Sequence, residues 1–438
     1  MHRRGCARPS TRRSVSTPAR CCRRGRGAST SGVHQWVHPR IRCRPGEGSA
    51  PDDPRGPLLH ARRACTNGDL GVTALRTTVA RLFGRFAADV EGAPEAEFTF
   101  APSTAEDTAA LLDFAAEHHL SVVPWGGGTH QFGPPTEPDV IVSTQALGGV
   151  DWHPDDLTVV VGAGIPVTTL EERLTERGQS AVLPEHPGAA TFGGVIAAGA
   201  SGWRRLRFGP TRDRILEVVA ATGDGRVIRG GGQVVKNVSG YDLPRLFTGS
   251  FGSLGVITRV CLKLWPIGAA TATVAMDDPV RALAIAQRPL AILQTARGVS
   301  VYLAGTQAEV EAQTVALGGE ASAGLAWPDR PHGDVVATVR VPPALVADAI
   351  ERVAAHGFVA AHGVGEVEVA GAIPVDAVTA WRSWAESHGG ALVVTRAPAD
   401  FGVDPWGTPP ATLDLQRRIM AAFDPLGVMV PGRLPGGI

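Results

Sequence analysis

A glycine-rich loop offers the clearest chemistry in the sequence. It covers residues 124–133, contains Gly126, Gly127 and Gly128 in a row, and directly follows an apolar segment typical of a strand. Consecutive glycines leave backbone N–H groups unshielded, so such a loop can close around a pyrophosphate. It is neither a Walker loop nor a GxGxxG dinucleotide motif. A glycine-rich surface turn is the alternative interpretation.

A second cluster, residues 187–202, consists almost entirely of small residues. Small side chains let backbone approach a ligand to van der Waals distance, so this segment suits a flat molecule. Close packing of helices is the alternative. It explains the run 197–200 but not Gly193, Gly194 and Gly202.

A third cluster joins residues 236–243 to the glycine-rich run 249–258. Lys236 and Lys263 are the only lysines in the chain, and Lys236 could hold an anionic substrate or a cofactor phosphate as a point charge. Tyr241 could offer a hydroxyl to the same ligand. A structural role in the loop is the alternative for Lys236 and Tyr241.

Length and composition favour a soluble protein of two or three domains. The 438 residues carry 42 basic and 42 acidic side chains, and no apolar run approaches the roughly 20 residues of a membrane helix. Five of the 6 cysteines precede residue 66, so the body of the chain has no disulfide framework. We expect a cytoplasmic protein.

Residues 1–70 are expected to be a disordered tail or sequence upstream of the true start. Their first 65 or so residues are crowded with Arg, Pro, Ser and Gly and show no apolar periodicity. Arg12 and Arg13 suggest a twin-arginine signal, but the apolar segment that should follow is absent. An arm that contacts nucleic acid or an anionic surface is the alternative.

The elements around the three clusters form a mixed α/β pattern. Ser103 or Thr104 can cap a helix that runs to about His119, and Gly223 and Gly225 predict a tight hairpin turn. The other predicted elements here are strands at 121–123, 140–143, 157–161, 215–222, 226–228 and 255–262 and a helix at 167–177.

A second, α+β domain is predicted over residues 269–438, where the glycine clusters stop and strands and helices alternate. The strands are predicted near 270–275, 298–302, 335–340, 364–369 and 391–395, and the helices near 278–287, 343–356 and 374–387.

In this order and spacing, the three clusters resemble the FAD-binding domain of the vanillyl-alcohol oxidase type, also called PCMH type, over residues 92–268. The runs 235–243 and 249–258 and the closing segment 431–433 look most like the FAD-binding E subunit of bacterial glycolate oxidase. The resemblance implies an α+β fold. A two-subdomain FAD-binding domain would be followed by a smaller α+β cap-like domain whose C-terminus returns to the FAD-binding domain.

The resemblance also implies a set of FAD-binding residues. Those that would wrap the pyrophosphate, or follow it directly, are Gly126, Gly127, Gly128, Thr129, His130 and Gln131. Those that would line the isoalloxazine and ribityl region are Pro187, Gly188, Thr191, Gly193, Gly194, Ser201 and Gly202. The downstream flavin-domain segment would contain Gly209 and Asp213, and the adenine end would meet Gly255 and Ile257.

The sequence departs from the family pattern at two places. Some members attach FAD covalently through a His directly after Gly-Gly, whereas here Thr129 has that position and His130 comes one residue late. We therefore expect non-covalent FAD. The E-type subunits usually close with Asn-Pro-Gly-Arg, and the replacement of Asn by Val430 weakens the expected C-terminal contact to the flavin.

No catalytic residue and no metal site are assigned from the sequence. The histidines of the second half lack the tight spacing of metal ligands on one helix face, and no general base is evident. These histidines are His332, His356, His362 and His388. Arg204, Arg205 and Arg207 could bind a carboxylate, but we interpret them as a solvated basic patch.

The resemblance implies FAD-dependent oxidation of a CH–OH donor, a small 2-hydroxy acid converted to a 2-oxo acid. The chain would act as a subunit beside a larger FAD subunit and an iron–sulfur subunit, with any peripheral membrane association arising through those partners. A self-contained FAD oxidoreductase of another alcohol or hydroxy acid is the alternative. A nucleic-acid-binding module with a vestigial flavin fold is the third hypothesis.

Overall fold

The computed structural model of the chain describes residues 69–133, 137–184, 188–234 and 240–438. The tail expected at 1–70 lies almost wholly outside the described residues. Pro187 and Lys236, both singled out in the sequence, also lie outside them.

The first half of the described chain combines short helices with two main sheets. Its strands are β1 (Phe98–Phe100), β2 (Val122–Trp125), β3 (Val140–Ser143), β4 (Val150–His153), β5 (Thr158–Gly162), β6 (Gln179–Ser180), β7 (Ile215–Thr222), β8 (Val227–Gly231), β9 (Gly255–Lys263) and β10 (Trp265–Pro266). Its helices are α1 (Asp69–Phe83), α2 (Ala105–Glu117), α3 (Val167–Thr175), α4 (Phe192–Ala197), α5 (Arg205–Phe208) and α6 (Leu243–Phe247).

A small parallel sheet has the order β1-β3-β2. Its central strand is apolar at Val140, Ile141 and Val142, which are each at most 2% exposed. Burial of consecutive residues is typical of a parallel strand covered on both faces. The prediction of a strand at 140–143 is confirmed with the same bounds.

A larger antiparallel sheet has the order β4-β5-β9-β7-β8. The strand predicted at 215–222 is confirmed as β7, and Gly225, with φ +75°, makes the predicted hairpin turn into β8. A side chain at Gly223 would lie 2.7 Å from Asp424 Oδ1, so glycine is needed there for close approach. Helices α3 and α4 pack on this sheet through fully buried Leu170 and Phe192.

Helix α2 begins where its capping residue predicts. Thr104 Oγ1 accepts a hydrogen bond from Asp107 N at 3.0 Å, which satisfies one free donor of the first turn. The helix ends at Glu117, two residues before the predicted end, because His119 takes a left-handed φ of +55°. Its buried face contacts the small parallel sheet.

The second half forms one eight-stranded antiparallel sheet with helices against it. Its strands are β11 (Ala270–Met276), β12 (Ala291–Thr295), β13 (Gly298–Gly305), β14 (Glu320–Ala323), β15 (Val335–Arg340), β16 (Gly357–Ala361), β17 (Glu366–Gly371) and β18 (Ala391–Arg396). Its helices are α7 (Pro279–Ile285), α8 (Gln307–Leu317), α9 (Val346–Val353) and α10 (Val375–Ser387), and α11 (Leu413–Phe423) follows the sheet.

This sheet is a duplicated βαββαβ unit. The strand order is β14-β11-β13-β12-β16-β17-β15-β18, so each half has the ferredoxin-like arrangement of four strands and the halves meet where β12 pairs with β16. The sequence had predicted alternating α and β segments here but not the repeat.

The short helix α5 connects the two halves of the molecule. Arg207 Nη1 donates to Ala304 O at 2.6 Å, and Arg205 lies 3.7 Å from the Glu366 carboxylate. Arg204 Nη2 donates to Leu183 O at 2.7 Å. The interpretation of these arginines as a solvated basic patch is wrong, because all are half-buried and bind carbonyl or carboxylate oxygens.

The chain returns to the small parallel sheet at its C-terminal end. Val122 N donates to Val428 O at 2.8 Å, and Val430 N donates to Val122 O at 2.9 Å, so residues 428–430 run parallel to β2. Asp424 secures this return by accepting hydrogen bonds from the backbone N–H groups of Val428 and Met429.

None of the helices in the described part of the chain is long and apolar enough to span a bilayer. Cys261, on β9, is buried and is not part of a disulfide.

Candidate functional site

The glycine loop leaves the carboxyl end of β2 and packs tightly against residues 189–191. A Cβ atom on Gly127 would overlap the carbonyl oxygen of Ala189, and one on Gly126 would overlap Thr191 Oγ1. Gly128 has φ +70°, a conformation that side chains disfavour. Gly126 and Gly127 are therefore required by the contact between two protein segments, and Gly128 by its backbone conformation, whatever ligand the loop binds.

Helix α4 lies directly behind this loop. Thr191 caps it, with Oγ1 accepting from Gly194 N at 3.4 Å, and Gly193 N donates to Ala163 O at 2.8 Å. A Cβ on Gly193 would lie 2.7 Å from Ala163 Cβ, so this glycine permits close packing of α4 against the segment after β5. The helix thereby presents small residues beside the loop.

The third wall comes from the turn before β9. Phe251 has a left-handed φ of +52° and donates its N–H to Ala197 O at 2.8 Å, which ties the turn to α4. Gly252, with φ +81°, is the next residue, and a Cβ there would lie 2.9 Å from Pro124 Cγ. Phe251 also contacts Phe132 and Trp406, with ring centroids 5.1 Å away in both cases.

These segments line a cavity that is open to solvent on one side. It lies at the carboxyl ends of β2 and β3, where open α/β sheets commonly bind ligands. Its lining consists of Pro124, Trp125, Gly126, Gly127, Gly128, Thr129, His130, Gln131, Thr144, Gly193, Gly194, Ala197, Ala198, Phe251, Gly252, Gly255, Val256, Ile257 and Arg433.

Two buried donors in this lining have no acceptor in the described structure, namely Trp125 Nε1 and Arg433 Nε. Buried polar groups are nearly always hydrogen-bonded, so orphaned donors on a cavity wall indicate a polar ligand. Three further buried nitrogens without an acceptor among the described residues, Arg207 Nε, Arg214 Nε and Trp265 Nε1, are not part of the lining, and the other nitrogens of the Arg214 guanidinium do have acceptors.

His130 is half-buried at one side of the cavity, with Nδ1 2.9 Å from Thr129 Oγ1. Burial, assisted by the positive charge of Arg330, lowers the pKa of its imidazole to about 4. The ring is therefore neutral at pH 7 and adds no positive charge to the site.

A second group of side chains, contributed largely by the eight-stranded sheet and its loops, surrounds Arg330. Its guanidinium pairs with Glu368 and lies 4.7 Å over the Trp203 ring. Trp203 contacts Trp327, which stacks on Tyr302 at 4.1 Å between centroids. The positive charge of Arg330 contributes to lowering the pKa of His130, so this group acts electrostatically on one residue of the cavity lining.

The structure brings together most of the residues predicted to bind FAD. Those in the lining are Gly126, Gly127, Gly128, Thr129, His130, Gln131, Gly193, Gly194, Gly255 and Ile257. Thr191 lies behind Gly126 and supports the wall from outside the lining.

Five other predicted residues are not brought to the cavity lining: Gly188, Ser201, Gly202, Gly209 and Asp213. Ser201 Oγ accepts from Thr211 N at 3.0 Å, and Asp213 pairs with Arg245 at 3.0 Å, so both have structural partners. Gly209, with φ +73°, ends α5. Their assignment to the flavin stays a prediction.

Sequence reasoning missed Trp125, Thr144, Phe251 and Arg433 as wall residues. Phe251 belongs to the glycine-rich run 249–258, and the glycines on either side of it were the only local indication that it lies at a binding site. Arg433 was noted in the closing segment, but nothing local to it indicated that the chain returns to β2.

The comparisons with known proteins agree with this geometry. Residues 96–231 match the family described as FAD binding domain. This part of the chain is similar to an FAD-binding domain. FAD is the cofactor. The lining suits it chemically, because the diphosphate and the flavin ring offer acceptors to the glycine-loop N–H groups and to the two orphaned donors.

Two curated relatives share sequence with part of the chain. D-lactate dehydrogenase of Archaeoglobus fulgidus is 40% identical over 169 residues, which are 38% of this chain and 38% of that protein. Glycolate oxidase subunit GlcE of Escherichia coli is 36% identical over 190 residues, 41% of this chain and 54% of that subunit. The chain thus spans about two fifths to one half of the length of these relatives.

Two solved structures are similar to this chain in fold, although they share little sequence with it. Chitooligosaccharide oxidase matches with a TM-score of 0.57 at 14% identity, covering 81% of this chain and 97% of that one. An alkyldihydroxyacetonephosphate synthase matches with a TM-score of 0.55 at 16% identity, covering 77% of each chain. At such identities the likeness supports the α+β two-subdomain fold alone.

The described residues contain no group of three or more His, Cys, Asp or Glu side chains placed to hold a metal ion. His362, one of the histidines weighed in the sequence, is buried with Nε2 2.7 Å from Gln294 Oε1. Burial lowers the pKa of its imidazole. It is a core side chain of the eight-stranded sheet.

Proposed function

We propose that this chain takes part in the FAD-dependent oxidation of a small 2-hydroxy acid to a 2-oxo acid, as the FAD-binding subunit of a complex similar to glycolate oxidase. The observation that carries the proposal is the identity of 36–40% to a glycolate oxidase subunit and a D-lactate dehydrogenase. Both names denote proteins that act on 2-hydroxy acids. When bound, FAD supplies the two-electron acceptor for such an oxidation.

The charge distribution beside the cavity supports an acidic substrate. Arg330 lies close enough to His130 for its charge to lower the pKa of that imidazole. A guanidinium presents a planar fork of donors that suits a carboxylate. Because His130 is neutral, we assign the orientation of the substrate carboxylate to Arg330, whose guanidinium pairs with Glu368 and lies over the Trp203 ring.

We also propose that FAD is bound without a covalent link, since Thr129 stands where some family members place their attachment histidine. The partners would be a larger FAD subunit and an iron–sulfur subunit, in a cytoplasmic complex whose contact with the membrane arises through those partners. Two of the relatives are named as glycolate oxidase subunits, which supports an assembly of several chains.

Anaerobic reduction of the bound flavin tests the proposal. We would purify the chain, record its oxidised flavin spectrum, and add glycolate or D-lactate in separate cuvettes. Retained colour with the chain alone, followed by bleaching once candidate partner subunits are added, is the expected result. Bleaching of the isolated chain would instead favour a self-contained oxidoreductase. No bleaching in any mixture, with other alcohols active, would refute a 2-hydroxy acid as substrate.

A further inference from the structure

Arg433 reaches the cavity from the distant C-terminal segment. Residues 428–430 run parallel to β2, so the turn at 431–433 emerges at the same sheet edge as the glycine loop. Its backbone is fixed there, because Arg433 O accepts from Trp406 Nε1 at 2.7 Å. Gly133, with φ +107°, packs against it: a Cβ at Gly133 would lie 3.1 Å from Arg433 O.

The Arg433 guanidinium is buried without a counterion among the described residues. The residue is 7% exposed, and its Nε has no acceptor within the described ranges. Burial lowers the pKa of the guanidinium to about 10, and no carboxylate of the described residues raises it. A buried charge without a counterion is strongly unfavourable, so the protein alone gives no reason to keep arginine here.

A second buried arginine shows the contrast. Arg214, 3% exposed, donates to the carbonyl oxygens of Val182 and Gly209 at 2.8 and 2.7 Å and to Thr211 Oγ1 at 3.1 Å. That guanidinium holds protein segments together. Arg433 is similarly buried, but among the described residues none of its guanidinium nitrogens has an acceptor, whereas both Nη atoms of Arg214 have one.

We infer that Arg433 provides the positive charge that pairs with the diphosphate of FAD. Among the described residues that line the cavity, it is the one Lys or Arg side chain, and His130 is neutral. The diphosphate carries two negative charges, whereas the backbone N–H groups of the glycine loop supply only partial positive charges. Arginine binds phosphate oxygens through two parallel N–H groups, which would satisfy the orphaned guanidinium. The inference rests on FAD binding, not on the proposed reaction.

The test compares Arg433→Met and Arg433→Lys with wild type, and uses Arg214→Met as a matched control. Each protein is stripped of flavin and titrated with FAD, with ADP, which keeps the diphosphate, and with adenosine, which lacks it. We expect Arg433→Met to weaken the binding of FAD and of ADP by a similar factor, about 10- to 100-fold, and to leave the binding of adenosine unchanged. Arg433→Lys should recover part of the loss.

Thermal unfolding of the flavin-free proteins separates a ligand role from a structural one. Arg433→Met should melt at or above the wild-type temperature because it removes an uncompensated charge, whereas Arg214→Met should melt lower. Unchanged FAD affinity in Arg433→Met would overturn the inference. Weaker binding of FAD with unchanged binding of ADP would overturn the diphosphate assignment. Neither result depends on turnover, so a failure of the proposed reaction would be seen separately.

Discussion

Replacing Gly126 by alanine should push the glycine loop away from residues 189–191. The new Cβ would overlap Thr191 Oγ1, a buried hydroxyl that also caps α4. Overpacking of this kind costs about 1 to 3 kcal/mol of unfolding free energy. The backbone of Gly126 lies outside the left-handed region, so alanine is tolerated there. By lowering the conformational entropy of the unfolded chain, alanine adds about 0.4 to 1 kcal/mol to the free energy of unfolding.

The clash should disappear when Thr191 is also replaced by alanine. Without Oγ1, the nearest Thr191 atom to the new methyl is Cβ, at an ordinary contact distance of 3.4 Å. Thr191→Ala alone loses the helix cap, which costs about 0.5 to 1 kcal/mol at this long hydrogen bond. The double variant should therefore be about as stable as wild type, giving a favourable coupling of about 1 to 3 kcal/mol.

Urea unfolding of the flavin-free proteins and fluorescence titration with FAD measure this cycle. FAD affinity should fall in Gly126→Ala and recover in the double variant, because the loop returns to its place. Gly148→Ala is the control, since a Cβ there meets nothing within 4 Å. Additive effects in the cycle would refute the steric argument. Gly127→Ala should resist rescue, because its clash is with the backbone carbonyl of Ala189.

Three further predictions concern charged and titratable groups. Arg330→Gln should raise KM for the 2-hydroxy acid about tenfold. The control Arg352→Gln, which removes an arginine lying 4.0 Å over another tryptophan ring, should leave KM unchanged. Equal effects of the two substitutions on KM would argue against carboxylate binding by Arg330. The His130 pKa is lowered to about 4 on folding, so the unfolded state binds the extra proton and stability falls as pH drops from 6.5 toward 4. Wild type should lose about 1 to 2 kcal/mol more than His130→Gln between pH 7.5 and pH 5 in urea unfolding, and parallel losses would contradict this. Burial raises the pKa of the Cys261 thiol to about 12, so peptide mapping by mass spectrometry after alkylation at pH 8 should find Cys261 unmodified in the native protein and modified in urea.

Strands were predictable where apolar runs are bounded by turn residues. Residues 140–143 and 215–222 are such runs, and both were predicted with the bounds found in the structure. The edge strand β14 was missed because all four of its residues are exposed, so no alternation marks it. Helix α8 was missed because only Val310 and Leu317 are buried along its length, which leaves a weak periodicity.

The candidate site was predictable in its glycines but not in the contacts that require them. The run Gly126, Gly127 and Gly128 indicated a ligand loop, whereas the structure shows that residues 189–191 fill the Cβ positions of Gly126 and Gly127. A local pattern cannot reveal which distant segment packs there. The resemblance implied that the closing segment returns to the FAD-binding domain, but the sequence did not show that it pairs with β2, about 300 residues earlier, and so brings Arg433 to the cavity.

Arg330 and Arg433 are in different electrostatic states, and this difference suits them to different ligands. The charge of Arg330 is already compensated by Glu368, so a carboxylate that binds there and leaves again does not expose a bare buried cation. Arg433 has no acidic partner in the described chain, and loss of its ligand would restore the full cost of an uncompensated charge. A group that stays bound through many turnovers therefore fits Arg433, and one that exchanges at every turnover fits Arg330. For the same reason we expect FAD to bind far more tightly than the hydroxy acid.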